Sequence, residues 1–210
     1  MALDAARKDD VTQAEIRAFY RQTGPVKAFT NQTLMYGGQS YMVFKDVQDP
    51  NADIKAAAVP LAVKAIKDKG VAIPSDLRVY CVGNFEAQNR AFHRGKDWQK
   101  IALVVLGYNA LKSTGTAVSA TGLGGHNTPT ISCIHEIGHC LHETSAGDDL
   151  FWDGDSELTG QPVNAGQVSL YAAGTKKEFV AEVFAGLILG KTFNNAVMEE
   201  YRSYRGPAVP

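Results

Sequence analysis

The stretch ISCIHEIGHCLHE, Ile131 to Glu143, contains His135-Glu136-Ile137-Gly138-His139, two histidines four apart with a glutamate beside the first. On an α-helix each residue advances by roughly 100°, so His135 and His139 leave the helix on nearly the same side and can hold one metal ion. Glu136 lies about a quarter-turn round, beside such an ion rather than on it, where a carboxylate can take a proton from a bound water. The pattern predicts a helix that carries the metal ligands and the base of a zinc hydrolase.

The flanking residues suit that helix. Thr128 can cap it, Pro129 fits its first position, and no proline follows Ile131 within the stretch. Cys133, Ile134, Ile137, Cys140 and Leu141 gather opposite the histidines, predicting a back in the core and a front on a cleft. Gly138 costs about 1 kcal/mol relative to alanine inside a helix, so its presence implies a need for room, for metal or for a close neighbour. With five histidines and nine glutamates in 210 residues, HExxH arises by chance in roughly one such chain in two hundred. A surface helix with two solvated histidines is the competing reading, and a complete site needs a third ligand.

Length and composition set the surroundings. A chain of 210 residues can bury one sizeable core, and 45% apolar with 20% charged residues is ordinary for a globular protein. We expect one domain over residues 1–210, with a sheet-containing part over 1–127 and a helical part carrying the metal site over 128–210. The net charge of −1 makes no electrostatic case for nucleic acid or an anionic membrane. There is no apolar run long enough for a membrane span, and MALDAARKDD has no signal-peptide core. Cys133 and Cys140 stand about 10.5 Å apart along one helix, too far to bridge, so the three cysteines read as buried thiols.

Taken in order, Thr12-Gln13-Ala14-Glu15 reads as a capping box opening a helix to about Thr23. Tyr41 to Phe44 predicts a short strand. Asp53 to Lys69 predicts a helix ending at Gly70, either kinked at Pro60 or regular only from there, with Val59, Leu61, Val63 and Ile66 inward. Leu77 to Val82 and Ile101 to Leu106 are rich in branched residues and predict buried strands. His93, isolated among polar and aromatic residues, is left out of the site. Lys112 to Thr121 suits either a surface loop or an edge strand that pairs its backbone with an extended peptide. Gly122 to Gly125 lacks the residues of a phosphate loop, and Asp153 to Glu157 lacks the closure of a calcium loop. Thr175 to Leu189 predicts a helix capped by Thr175 and stopped at Gly190. From Thr192 a last amphipathic segment turns Phe193, Val197 and Tyr201 inward, before a loose GPAVP tail.

Which residue completes the ligand set? The third histidine of HExxHxxGxxH is missing, because Ser145 stands in its place and His142 in that of the glycine. His142 is expected near the cleft as support rather than as a ligand. Glu178 and Glu182, four apart on one helix face, remain: one to bind metal, the other to support it through a histidine. Glu178 could instead close a capping box with Thr175. Spacing alone leaves the choice open.

HEIGH, Tyr171 and the segment Glu178-Phe179-Val180-Ala181-Glu182-Val183-Phe184 together resemble the lethal factor-like and Pro-Pro endopeptidase family of zinc metallopeptidases. These share an HExxH helix, a tyrosine seven residues before the ligand glutamate, and an E-F-x-A-E-x-F-like helix. The match covers two patches within residues 131–184, about a quarter of the chain. The resemblance implies Glu178 as the ligand, Glu182 as its support, and Tyr171 as the residue that stabilises the oxyanion.

The expectation is therefore an α+β, zincin-like fold: a mixed sheet with a backing helix, the HExxH helix, and a C-terminal helical part carrying the third ligand. Its expected activity is that of a zinc-dependent endopeptidase, with Zn2+ on His135, His139 and Glu178, Glu136 as general base, and a protein or peptide substrate bound in extended form. The resemblance adds a toxin-type bacterial protease, secreted or injected within a larger protein, or a proline-selective one, and it names no inhibitory or immunity partner. Two other readings stand beside it: a zinc hydrolase of non-protein amides or esters, and a noncatalytic module braced by zinc.

Overall fold

Gly37 and Gly38 turn the chain back on itself with φ of 57° and 77°, the left-handed pair that a two-residue hairpin requires. They join strand β1, Phe29–Tyr36, to β2, Gln39–Asp46. The computed structural model describes residues 29–75, 77–81, 90–94, 101–106, 128–147, 158 and 160–210, and for 90–94, 101–103, 105 and 128 the backbone alone. Helix α1, Ala52–Asp68, follows, then β3, Arg78–Cys81, β4, Arg90–Arg94, and β5, Ile101–Leu106. Helices α2, Thr128–Ala146, α3, Lys176–Ile188, and α4, Asn195–Ser203, complete the order.

The five strands form one mixed sheet in the order β1-β2-β3-β5-β4. β2, β3 and β5 run parallel, while β1 and β4 are antiparallel edges. The architecture is α+β. The expected strands at 41–44, 77–82 and 101–106 are all present, whereas β1 and β4 were not foreseen. In β1, FTNQTLMY, the run Thr30 to Thr33 is polar and breaks any apolar alternation, and most of the strand's side chains are exposed.

Between β2 and β3, α1 lies against the sheet as the backing helix. It begins at Ala52, well before Pro60, and continues through that exposed proline. Val59, Val63 and Ile66 point inward as expected, but Leu61 is 47% exposed. At 100° per residue Leu61 falls on the far side of Val59, and Ala56 and Ala62 take the inward places. The turn into α1 is anchored by the Lys55 ammonium, which donates to Asp49 Oδ2 at 2.8 Å with both side chains almost fully buried.

The next layer is α2, which contacts α1, β4, β5 and α3. One apolar cluster runs from Tyr41 and Val43 on the sheet through Ile134 and Ile137 to Phe179, Val183 and Tyr201. The three cysteines are buried and in no disulfide; burial pushes the Cys81 thiol up to about 12 and Cys133 well above its usual value, so both are unreactive thiols.

The C-terminal tail is ordered, contrary to expectation. Tyr201 is buried and its hydroxyl donates to the Pro207 carbonyl at 2.6 Å, because a buried phenol needs an acceptor. Gly206 lies flat on the same ring: a Cβ there would come within 2.4 Å of it. Among the described residues no helix is long and apolar enough to cross a membrane. The expected helix at 12–23, the segments 112–121 and 122–125, the acidic loop 153–157 and the side chain of His93 lie outside what is described.

Candidate metal centre

Two helices build the centre. α2 supplies the histidines, and it is buried on its polar side as well as on its apolar one: Thr130, Ser132, His135, Glu136, His139, His142 and Glu143 are all within 9% of full burial. α3 is started by Thr175, whose Oγ accepts from the Glu178 amide at 3.2 Å. The backbone half of the cap is thus made by Thr175, and the Glu178 carboxylate is directed at the imidazoles. The two helices approach closely at Gly138, where a Cβ would stand 2.8 Å from Phe184 Cδ1 and 3.6 Å from Ala181 Cα. The room that Gly138 leaves is occupied by the neighbouring helix.

Three atoms converge. His135 Nε2 is 3.1 Å from Glu178 Oε2, His139 Nε2 is 3.3 Å from the same oxygen, and the two Nε2 atoms are 3.1 Å apart. Ligands bound tetrahedrally at about 2.0–2.1 Å stand roughly 3.3 Å from one another, so the triangle fits a zinc-sized ion. With neither Nε2 protonated three lone pairs converge, an arrangement that a cation at their centre would satisfy.

Behind His135 stands Glu182, 1% exposed, with Oε1 2.8 Å from Nδ1. An ionised carboxylate only accepts, so Nδ1 carries a hydrogen, and in the neutral imidazole it is the Nε2 lone pair that faces the cluster. Burial pushes the His135 imidazole down, but Glu178 and Glu182 outweigh it and hold its pKa well above the usual value. Burial likewise pushes the Glu178 carboxyl up, but His139 and then His135 hold it far below the carboxylate range. Two carboxylates around two imidazoles leave an excess of negative charge when the imidazoles are neutral, which a divalent cation would offset.

Tyr171 opens a short 3-10 turn, Tyr171–Ala173, seven residues before Glu178. The residue is 47% exposed, and its ring lies 5.6 Å, centroid to centroid, from the His135 ring. The Glu178 and His139 side chains are 26% and 11% exposed, against 4% for His135, so the cluster meets solvent at Glu178 and His139. Glu136 is buried beside His135 on α2. His142 Nε2 donates to the Tyr204 carbonyl at 2.7 Å, so its hydrogen bond runs to the end of α4 rather than to a ligand.

Spacing gave no warning of three further groups near the site. Glu143 is fully buried one turn beyond His139. Lys177 has its pKa lowered by burial, against Glu143 and Glu178, which raise it. Glu200 binds the segment that leads to Tyr171, from 36 and 37 residues away, a separation that leaves no local pattern. No protein-family model, curated protein or solved structure matches this chain.

Proposed function

We propose that the chain is a zinc-dependent endopeptidase of zincin-like fold. The observation that carries the proposal is the triangle of His135 Nε2, His139 Nε2 and Glu178 Oε2, 3.1 to 3.3 Å on each side, with Glu182 on the outer nitrogen of His135. His135, His139 and Glu178 are the residues that would hold zinc. A zinc ion held by three protein ligands supplies Lewis acidity, acidifying a water and polarising a carbonyl.

The chain's own groups do the rest. Glu136 accepts the proton of the attacking water and returns it to the departing amine. A structural zinc site has no use for such a base. Tyr171, half exposed beside His135, donates its phenolic hydrogen to the carbonyl oxygen as that oxygen gains charge. Glu182 keeps His135 in the tautomer that leaves Nε2 available. β4 ends the sheet order on the side of α2, and such an edge can pair with a substrate in extended form. The resemblance of Glu178 to Phe184 extends the proposal to toxin-type or proline-selective proteases.

A peptide library digested with the chain, with chelator, and with zinc restored tests this reading and reads out the residue preference. Cleavage should stop on chelation and return with zinc. Glu136→Ala should keep its zinc and lose turnover by about 10²- to 10⁴-fold. Full turnover in that variant would remove the proposed base, and hydrolysis of small esters or amides with no peptide cut would point to a non-protein substrate.

A further inference from the structure

We infer that Glu200 is a positioning residue that holds Tyr171 over the metal-ligand cluster. The inference rests on the peptidase reading, in which the Tyr171 hydroxyl acts on the substrate carbonyl.

The segment from Val163 to Gly174 has little apolar side-chain packing to hold it. Val163 and Leu170 are each 90% exposed and Tyr171 is 47% exposed, while only the small residues Ala165, Val168 and Ala172 are buried. Hydrogen bonds add to these three apolar anchors, and the Glu200 carboxylate accepts four of them. Oε1 accepts from the Val163 amide at 2.7 Å and the Tyr204 hydroxyl at 2.6 Å. Oε2 accepts from the amide and the side-chain nitrogen of Asn164, both at 2.8 Å. A carboxylate offers about four lone-pair sites and no hydrogen, so no other side chain of this size matches four donors.

From there the bonds run on to Tyr171. Asn164 precedes the 3-10 turn Ala165–Gln167. The Ala165 carbonyl accepts from the Ser169 amide at 3.0 Å, Ser169 Oγ accepts from the Ala172 amide at 2.9 Å, and the Tyr171 carbonyl accepts from the Gly174 amide at 3.0 Å. Two contacts from the loop before α4 brace the middle of the segment, Lys191 Nζ to the Val168 carbonyl at 3.5 Å and Asn194 Nδ2 to Gln167 Oε1. Glu200 holds the start of the segment, and α3 holds its end through Thr175. Tyr171 stands between these two points, so a shift of the Glu200 end is passed along the hydrogen-bonded turns to its backbone.

The test combines Glu200→Gln and Tyr171→Phe, singly and together, with a readout that needs neither metal nor turnover. In the metal-free chain, the ring-current shift between Tyr171 and His135 and the exchange rates of the 163–174 amides should report a displaced tyrosine in Glu200→Gln. Zinc affinity should stay within about twofold, and kcat on the library's best peptide should fall about tenfold with KM little changed. In the Tyr171→Phe background the same Glu200 change should cost less than about twofold, because the group it positions is gone. An unchanged ring-current shift, or an equal loss of kcat in both backgrounds, would overturn the positioning role. Glu200→Asp, which keeps the charge, should recover part of the kcat lost in Glu200→Gln, and a further loss would count against the role. A wild-type chain that binds zinc but cuts no peptide would sink the peptidase reading instead, and the ring-current shift would still decide whether Glu200 places Tyr171.

Discussion

At His135 the two ring nitrogens do different work, and the difference comes from two carboxylates one helical turn apart. Glu178 faces Nε2 at 3.1 Å and Glu182 faces Nδ1 at 2.8 Å. Their four-residue spacing was readable, but spacing could not say which of them faces which nitrogen, because that depends on how α3 is rotated against α2; only the family resemblance pointed to Glu178 for the metal side. Removing the supporting acid should weaken the site without abolishing it. Glu182→Ala should lower zinc affinity by about 10- to 100-fold, and Glu178→Ala, which deletes a proposed ligand, by more. A competition titration against a coloured chelator separates the two, and an unchanged affinity in Glu182→Ala would deny it this part. Tyr171→Phe should lower kcat more than it raises KM, since the role proposed for the hydroxyl lies in the transition state. A loss confined to KM would move Tyr171 to substrate binding.

Between elements, the crossing of α2 and α3 at Gly138 controls how near the histidines come to Glu178. Alanine there would raise helix propensity by about 1 kcal/mol, yet its Cβ would stand 2.8 Å from Phe184 Cδ1. Phe184 is fully buried and has no solvent to swing into, so overpacking, typically 1–3 kcal/mol, should win. Gly138→Ala should be less stable by up to about 2 kcal/mol in urea unfolding and should bind zinc more weakly, as the helices are pushed apart. A stabilised variant would mean that the crossing has slack. Sequence periodicity placed Gly138 near the histidine face and implied crowding there; only the packed pair identifies the neighbour as Phe184.

Across the whole molecule, the C-terminal turn ties down the far end of the motif helix. His142 Nε2 donates to the Tyr204 carbonyl, Ser145 Oγ donates to the Arg205 carbonyl at 2.6 Å, and Arg205 Nη1 donates to the Ala146 carbonyl at 3.1 Å. Burial lowers the His142 pKa to about 4, against the Tyr204 carbonyl and with help from His139 and Lys177. The unfolded chain, with a pKa near 6.5, therefore takes up this proton first. The stability held by neutral His142 is complete above about pH 6.5 and falls as pH descends to about 4, by roughly 3 kcal/mol. Against wild type, His142→Gln should show its largest deficit at neutral pH and a narrowing one toward pH 4 in urea unfolding; a constant gap would remove His142 from the acid response. By itself the sequence determined what local periodicity controls: the central strands, the backing helix, the paired histidines, the Thr175 cap and the candidacy of Glu178 and Glu182, because side-chain spacing along a helix or strand follows from its own geometry. Tertiary structure alone decided the β1 and β4 edges, the ordered tail, the role of His142 and the reach of Glu200. Each depends on atoms far apart in the chain, and their contacts are chosen by packing and by the need of buried polar groups for partners, neither of which leaves a local pattern.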